Sequence, residues 1–293
     1  MKAVREFANA KINLYLDVIA RRDDGFHDIK TVMHSISLSD ELTVSYKPSP
    51  VTSVRMHLKG SRFLPTDEKN LAVRAATLFL DALQKTADIE ITLKKKIPIA
   101  AGLAGGSSDA AATLRAMNRL FDKAFSERAL LKLATAIGSD VPYCLYGKTA
   151  LCEGRGEILT KLPDTLKLNI VVAVANEHVS TPRAYAALDE MYSSFDGTVS
   201  TGGEPYYSAL MDHLSLGKSL NTELFNVFET AVFKNCPKAL KIKNILLELG
   251  AETALMSGSG PSVFGVFDSE ESAMKACVAL RDEKITAYCA KSI

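Results

Sequence analysis

The sequence predicts an α+β fold of two domains, residues 1–160 and 161–293, with a cleft between them. Three observations lead there. Short runs with a period of two dominate the early chain, the mark of half-buried strands. Near residue 100 a strand passes through a glycine-rich stretch into an alanine-rich helix. Beyond residue 160 the order becomes strand, helices, two strands, helix, strand, which resembles the split βαβ pattern.

Residues 8–18 open the series. Ala8, Ala10, Ile12, Leu14, Leu16 and Val18 share one face of a strand, and Asn9, Lys11, Asn13, Tyr15 and Asp17 share the other. Arg22-Asp23-Asp24-Gly25 reads as a turn. Leu42-Val44-Tyr46 and Val54-Met56-Leu58 predict further strands. The spacing of Leu71, Ala75, Leu78 and Phe79 predicts a helix over 69–84. Ile89, Ile91 and Leu93 alternate with Glu90, Thr92 and Lys94 as a strand, whose pairing Pro98 ends. An alanine-rich helix is expected from about Ser108 to Leu120, and another from the cap Ser126 to Gly138. Leu168 to Ala175 is a continuous apolar run, read as a buried strand. Residues 193–206 read as a polar surface loop. Helices are expected over 182–192, 220–234 and 237–249, the last opened by Pro237 and closed by Gly250. Strands near 252–257 and 262–267, a helix from the cap Ser269 to Arg281, and a strand over 285–290 complete the chain.

Composition narrows the function. A net charge of +1 supplies no bulk field toward nucleic acid or an anionic membrane, so neither is expected as a partner. Five cysteines without a CxxC pair argue against a disulfide framework and a zinc knuckle. No HExxH spacing occurs, and no apolar run reaches the length of a membrane span. Met1 leads into a charged amphipathic strand rather than a signal peptide, so a cytoplasmic location is expected.

The strongest motif is PIAAGLAGGSSDAA at 98–111. Gly102, Gly105 and Gly106 remove side chains, so main-chain N–H groups approach an anion closely. The following helix adds its unpaired N–H groups and positive dipole end. Ser107 and Ser108 read either as hydroxyl donors or as an N-cap. The bland alternative, a tight turn that needs small residues, accounts poorly for so constrained a pattern. Pro142 stands where the first glycine of a Walker A motif belongs, and no HRD or GxSxG motif is present, which argues against P-loop, protein-kinase and esterase readings. The arrangement suits a di- or triphosphate ligand. Lys94-Lys95-Lys96 reads either as a solvated strand end or as a positive rim for a phosphate ligand. Lys11 by itself reads as a solvated lysine, Asp140 in Gly138-Ser139-Asp140 either as a turn-former or as a functional acid, and Phe26 with His27 either as groups that stack on and bond a flat heterocycle or, for Phe26, as an ordinary core or rim aromatic.

Pro98, Gly102, Leu103, Ser107, Ser108 and Ala110 resemble the signature of the GHMP kinases, a superfamily named for galactokinase, homoserine kinase, mevalonate kinase and phosphomevalonate kinase. NAKINLYLDV at 9–18, DGFH at 24–27, GSDVPY at 138–143, EGRGE at 153–157 and MSGSGPSVFGVF at 256–267 extend the resemblance over nearly the whole chain. It implies the two-domain GHMP kinase fold: an N-terminal ATP-binding domain like ribosomal protein S5 domain 2, and a ferredoxin-like C-terminal domain that contributes to the substrate site. It also implies transfer from ATP, with Mg²⁺, to an alcohol carrying a cytidine diphosphate, in non-mevalonate isoprenoid biosynthesis. A monomer or weak homodimer is expected. A homoserine- or mevalonate-type alcohol kinase and a non-catalytic nucleotide-binding regulator remain as alternatives.

The resemblance also assigns roles. Asp140 becomes the general base, and Lys11 contacts substrate and base. Pro98, Ile99, Ala100, Ala101, Gly102, Leu103, Ala104, Gly105, Gly106, Ser107 and Ser108 hold ATP, with Asn70 and Lys95 bordering the adenine. Asn13, Phe26, His27, Thr181 and Tyr185 belong to the substrate. Phe26 stands where the family usually has tyrosine, keeping a stacking face and losing a hydroxyl. Ser257–Gly260 reads either as a second glycine turn toward the substrate diphosphate or as a hairpin. Asp109 reads as a helix cap or a magnesium neighbour, and the metal ligands are left unassigned.

Overall fold

A computed structural model describes residues 2–60, 64–192, 201–216, 220 and 224–293. The chain forms two compact units that interleave along the sequence: residues 1–10, 39–99 and 104–147, and residues 11–38, 100–103 and 148–293.

The first unit takes its sheet from β1 (Lys2–Arg21, through Ala10), β2 (His27–Pro48, from Ser39), β3 (Ser53–Lys59) and β4 (Ala87–Lys94). β4 pairs antiparallel with β2, from Glu41 opposite Lys94 to Pro48 opposite Ala87, and parallel with β3. The alternation read in β4 is real: Ile89, Ile91 and Leu93 are fully buried. Against these lie α1 (Leu71–Leu83) and α2 (Gly105–Leu120), followed by α3 (Glu127–Ile137) and α4 (Val141–Tyr146). Ala72, Ala75 and Ala76 of α1 and Ala110, Ala111 and Ala112 of α2 are completely buried. Such short side chains let the two helix backbones approach closely. Ser126 caps α3 through the N–H of Ala129, as its sequence predicts.

The second unit holds the first part of β2, paired with β5 (Thr149–Glu153), which in turn pairs with β6 (Ile158–Lys161). A separate antiparallel sheet runs in the order β11 (Thr286–Lys291), β7 (Asn169–Val174), β10 (Ser262–Phe267), β9 (Thr253–Met256). The continuous apolar run read over 168–175 is its central strand β7. α5 (Thr181–Met191), α6 (Glu204–Leu216), β8 (Phe225–Asn226), α7 (Phe228–Asn235), α8 (Pro237–Glu248) and α9 (Glu270–Asp282) complete the unit. α8 and α9 close the core with Ala239, Ile242, Leu246, Ala273, Cys277 and Leu280.

Three expectations change. α2 starts at Gly105 rather than near Ser108. The surface loop expected to 206 ends earlier, because Glu204 already begins α6; residues 193–200 lie outside the described residues. The helix expected over 220–234 starts only at Phe228, since Phe225 and Asn226 pair with Tyr15 and Leu16 of β1. Local propensity yields there to a long-range pairing.

Candidate active site

In the first unit the glycine-rich stretch ends in an uncapped helix. Ala104, the N-cap of α2, sits in the left-handed region at φ 55° and offers no side-chain bond. Ser108 N bonds Ala104 O at 2.8 Å, so the N–H groups of Gly105, Gly106 and Ser107 have no acceptor within the helix. Ala100 is also left-handed, at φ 53°. Each alanine there costs about 1–2 kcal/mol, and such strain persists only where the surroundings impose it. Neither serine is the cap. Ser108 is buried, and its hydroxyl donates to Asn9 O at 2.6 Å.

Lys95 is neither a solvated strand end nor part of an open rim. Its ammonium bonds Asp40 Oδ2 at 2.5 Å and Asp109 Oδ2 at 2.7 Å. Asp40 also accepts from Lys96 N and Ile97 N. Asp109 is the fifth residue of α2, not its cap, and burial raises its acid well above the usual carboxylate range against the pull of Lys95. Asp40 escaped the residue-by-residue reading, although a signal was present. It stands in the apolar register Ile36, Leu38, Asp40, Leu42, Val44, where a carboxylate demands a partner.

Asn70 is the N-cap of α1: its Oδ1 accepts from Ala72 N at 3.0 Å, and its amide donates to Pro65 O. Asp140 stands just before α4 with helical backbone angles and no cap bond. Its half-buried carboxylate makes no hydrogen bond or ion pair to another described residue.

In the second unit Gly102, at φ +76°, packs on the hairpin between β9 and β10, where an added Cβ would collide with the carbonyl of Ser257. The Gly102 carbonyl accepts from Lys11 Nζ at 2.8 Å and Ser257 Oγ at 3.0 Å. Lys11 is 4% exposed and also donates to Asn13 Oδ1 at 2.7 Å. Asn13 Oδ1 accepts from Gly258 N as well, and its amide donates to Thr31 Oγ1. From Lys11 to Asp17 the polar face read in β1 is therefore buried.

Phe26 is half exposed, and the Arg155 guanidinium lies 3.6 Å from its ring centre. His27 bonds Asp189 at 2.7 Å through Nε2 and stacks on Tyr185, with centroids 4.7 Å apart. Asp189 lies one helical turn after Tyr185, an i,i+4 spacing that places both on one face of α5. Thr181 starts α5 and shares a 2.8 Å hydrogen bond with Ser259 of the hairpin.

Comparison with known proteins finds the GHMP kinases N terminal domain over residues 70–148 and the GHMP kinases C terminal domain over 207–285. The chain is 38% identical over 282 residues to the 4-diphosphocytidyl-2-C-methyl-D-erythritol kinase of Macrococcus caseolyticus, covering 95% of each. It is 41% identical to the enzyme of that name from Lachnospira eligens, covering 94% of this chain and 93% of the relative. A crystal structure of 4-(cytidine 5'-diphospho)-2C-methyl-D-erythritol kinase superposes with a TM-score of 0.80 at 33% identity, covering 98% of both chains.

Proposed function

Because the chain belongs to the 4-diphosphocytidyl-2-C-methyl-D-erythritol kinase family, within the GHMP kinases, we propose that it phosphorylates 4-diphosphocytidyl-2-C-methyl-D-erythritol at its 2-hydroxyl from ATP, a step of non-mevalonate isoprenoid biosynthesis. The observation that carries the ATP half of this reading is the uncapped start of α2 behind Gly102, Gly105 and Gly106.

Phosphoryl transfer asks chiefly for positioning and charge neutralisation. Residues 98–108 form the seat of the ATP phosphates, which the main-chain N–H groups of Gly105, Gly106 and Ser107 take. Asn70 and Lys95 serve that seat through the structure they hold, one starting α1 and the other tying the end of β4 to α2. Asp140 removes the acceptor's hydroxyl proton as its oxygen bonds the γ-phosphorus and the bond to ADP breaks. Lys11, oriented by Asn13, steadies the charge forming on that oxygen. Phe26 stacks on the cytosine, His27 bonds its edge, and Thr181 and Tyr185 line the substrate's far side.

Mg²⁺ bound with the nucleotide would neutralise phosphate charge during the transfer, and no protein ligand is assigned to it. The described residues contain no group of three His, Cys, Asp or Glu arranged to hold a metal. Asp109 does not suit that role, because the Lys95 ammonium already lies on its carboxyl group. Residues 1–160 carry the ATP site and residues 161–293 contribute to the substrate site. We further infer a monomer or weak homodimer in the cytoplasm, without nucleic-acid partners; no described helix is long and apolar enough to cross a membrane.

Labelled ATP offered with a panel of alcohols tests the reading. Label is expected on the cytidine diphosphate alcohol. Transfer to homoserine or mevalonate instead identifies a sister kinase, and ATP binding without transfer to any alcohol identifies a regulator. Asp140→Asn is expected to abolish turnover while ATP still binds; unchanged turnover removes Asp140 as the base.

A further inference from the structure

Two carboxyl groups face one ammonium inside the first unit. Asp40 is 0% exposed, Asp109 2%, and the Lys95 side chain 6%. Hydrogen bonds distinguish them. Asp40 accepts from three donors, Lys95 Nζ, Lys96 N and Ile97 N. Asp109 receives one, from Lys95 Nζ. Its Oδ1 is sealed from solvent with no hydrogen-bond partner, and Asp40 shares the same ammonium. Two carboxyl groups sharing one site do not both ionise readily.

Among the described residues, the elements packed on α2 bring no compensating charge. Arg74 of α1 is directed to the carbonyl of Ala136, and Glu127, Arg128 and Lys132 of α3 are exposed. Tyr143 of α4 is buried, and Asp140 precedes that helix. Glu6 of β1 pairs with Arg115 and Arg119. The cluster also lies directly beneath the glycine turn: a Cβ built on Gly105 would come within 2.9 Å of Lys95 Nζ.

We propose that Asp109 is a positioning residue for ATP that works as the neutral acid, closing a charge-neutral cluster with Lys95 and Asp40 under the first turn of α2. The proposal rests on the reading of that turn as the seat of the ATP phosphates. Ionised Asp109 adds a negative charge behind N–H groups that face a polyphosphate, and opposes the helix dipole that attracts it. Burial, which raises the acid of Asp109, places that ionisation in the alkaline range.

The test follows KM for ATP and kcat from about pH 7 to about pH 9.5 in the wild-type enzyme and in Asp109→Asn, which mimics the neutral acid. The wild-type KM for ATP is expected to rise about fivefold with kcat unchanged, while Asp109→Asn keeps a flat, low KM. Infrared spectra report the proton independently of catalysis. A protonated-carboxyl band should be present at neutral pH, titrate away in alkali, and be missing in Asp109→Asn. A KM for ATP raised tenfold at pH 7 in Asp109→Asn, or a wild-type protein without the band, overturns the proposal. The band present with a flat wild-type KM would leave Asp109 neutral and remove its link to ATP. Loss of the phosphate seat itself would show separately, as ATP binding insensitive to substitutions in 105–107.

Discussion

Two glycine turns in this protein look alike in sequence and differ in what their main chain has left to offer. In the turn at 98–108 the chain enters α2 without a side-chain cap, and three N–H groups at the helix start have no helical acceptor. In the hairpin at 257–260 most of the polar groups are engaged within the fold. Gly258 N bonds Asn13 Oδ1, Gly260 N bonds Ser257 O, and Asn226 donates to the carbonyls of Met256 and Gly258. Glycine in the first turn leaves room above open donors. In the second it lets the backbone come close to Gly102. An anion site needs donors left over as well as missing side chains, so the hairpin reads as a buttress.

Gly106→Val is the strongest way to break that contrast. A Cβ there meets only Leu71 Cδ1, at 3.7 Å, so the fold has room for it. The branched side chain should nonetheless screen the helix start and raise KM for ATP about 100-fold, equivalent to about 3 kcal/mol, with thermal stability changed by less than about 0.5 kcal/mol. Equal losses of ATP binding and stability would mean that the turn is only structural. Gly102→Ala should do the reverse and destabilise the protein by about 3 kcal/mol in denaturant titration, through its positive φ and the collision with Ser257.

His34 supplies a control at neither turn. It is buried between Thr149 and Ser292, and burial lowers its pKa from 6.5 to about 4. A histidine kept neutral by folding contributes stability that is present above pH 6.5 and lost as pH falls toward 4. Unfolding free energy should drop about 2 kcal/mol between about pH 7.5 and about pH 5, and His34→Asn should lessen that slope. The smallest effect belongs to Ser257→Ala. Lys11 still holds the Gly102 carbonyl, so the loss should be about 1 kcal/mol, with KM for ATP unchanged.

Much of the architecture was legible because its signals are local. The alternation in β1 and β4, the cap at Ser126, and Pro237 and Gly250 around α8 each act over a few residues. The same local rules misplaced the start of α2, because its cap is a left-handed alanine that no cap rule names. They also missed β8, whose two residues become a strand only through β1. The candidate site divides in the same way. The glycine turn, the DGFH turn and Asp140 stand out as motifs. Asp40 under Lys95, Asp189 on His27 and Arg155 on Phe26 do not.

The sequence by itself determined the kind of protein: an α+β chain with a glycine-rich strand-to-helix turn and the GHMP motifs in order. Periodicity, glycine placement and helix polarity are properties of neighbouring residues. Only the tertiary structure decided the partners of the charged groups. The bonds that settle them join residues 55 apart for Lys95 and Asp40, 91 for Lys11 and Gly102, and 162 for His27 and Asp189. Burial and donor count govern a charge, and both are set by segments distant in the chain.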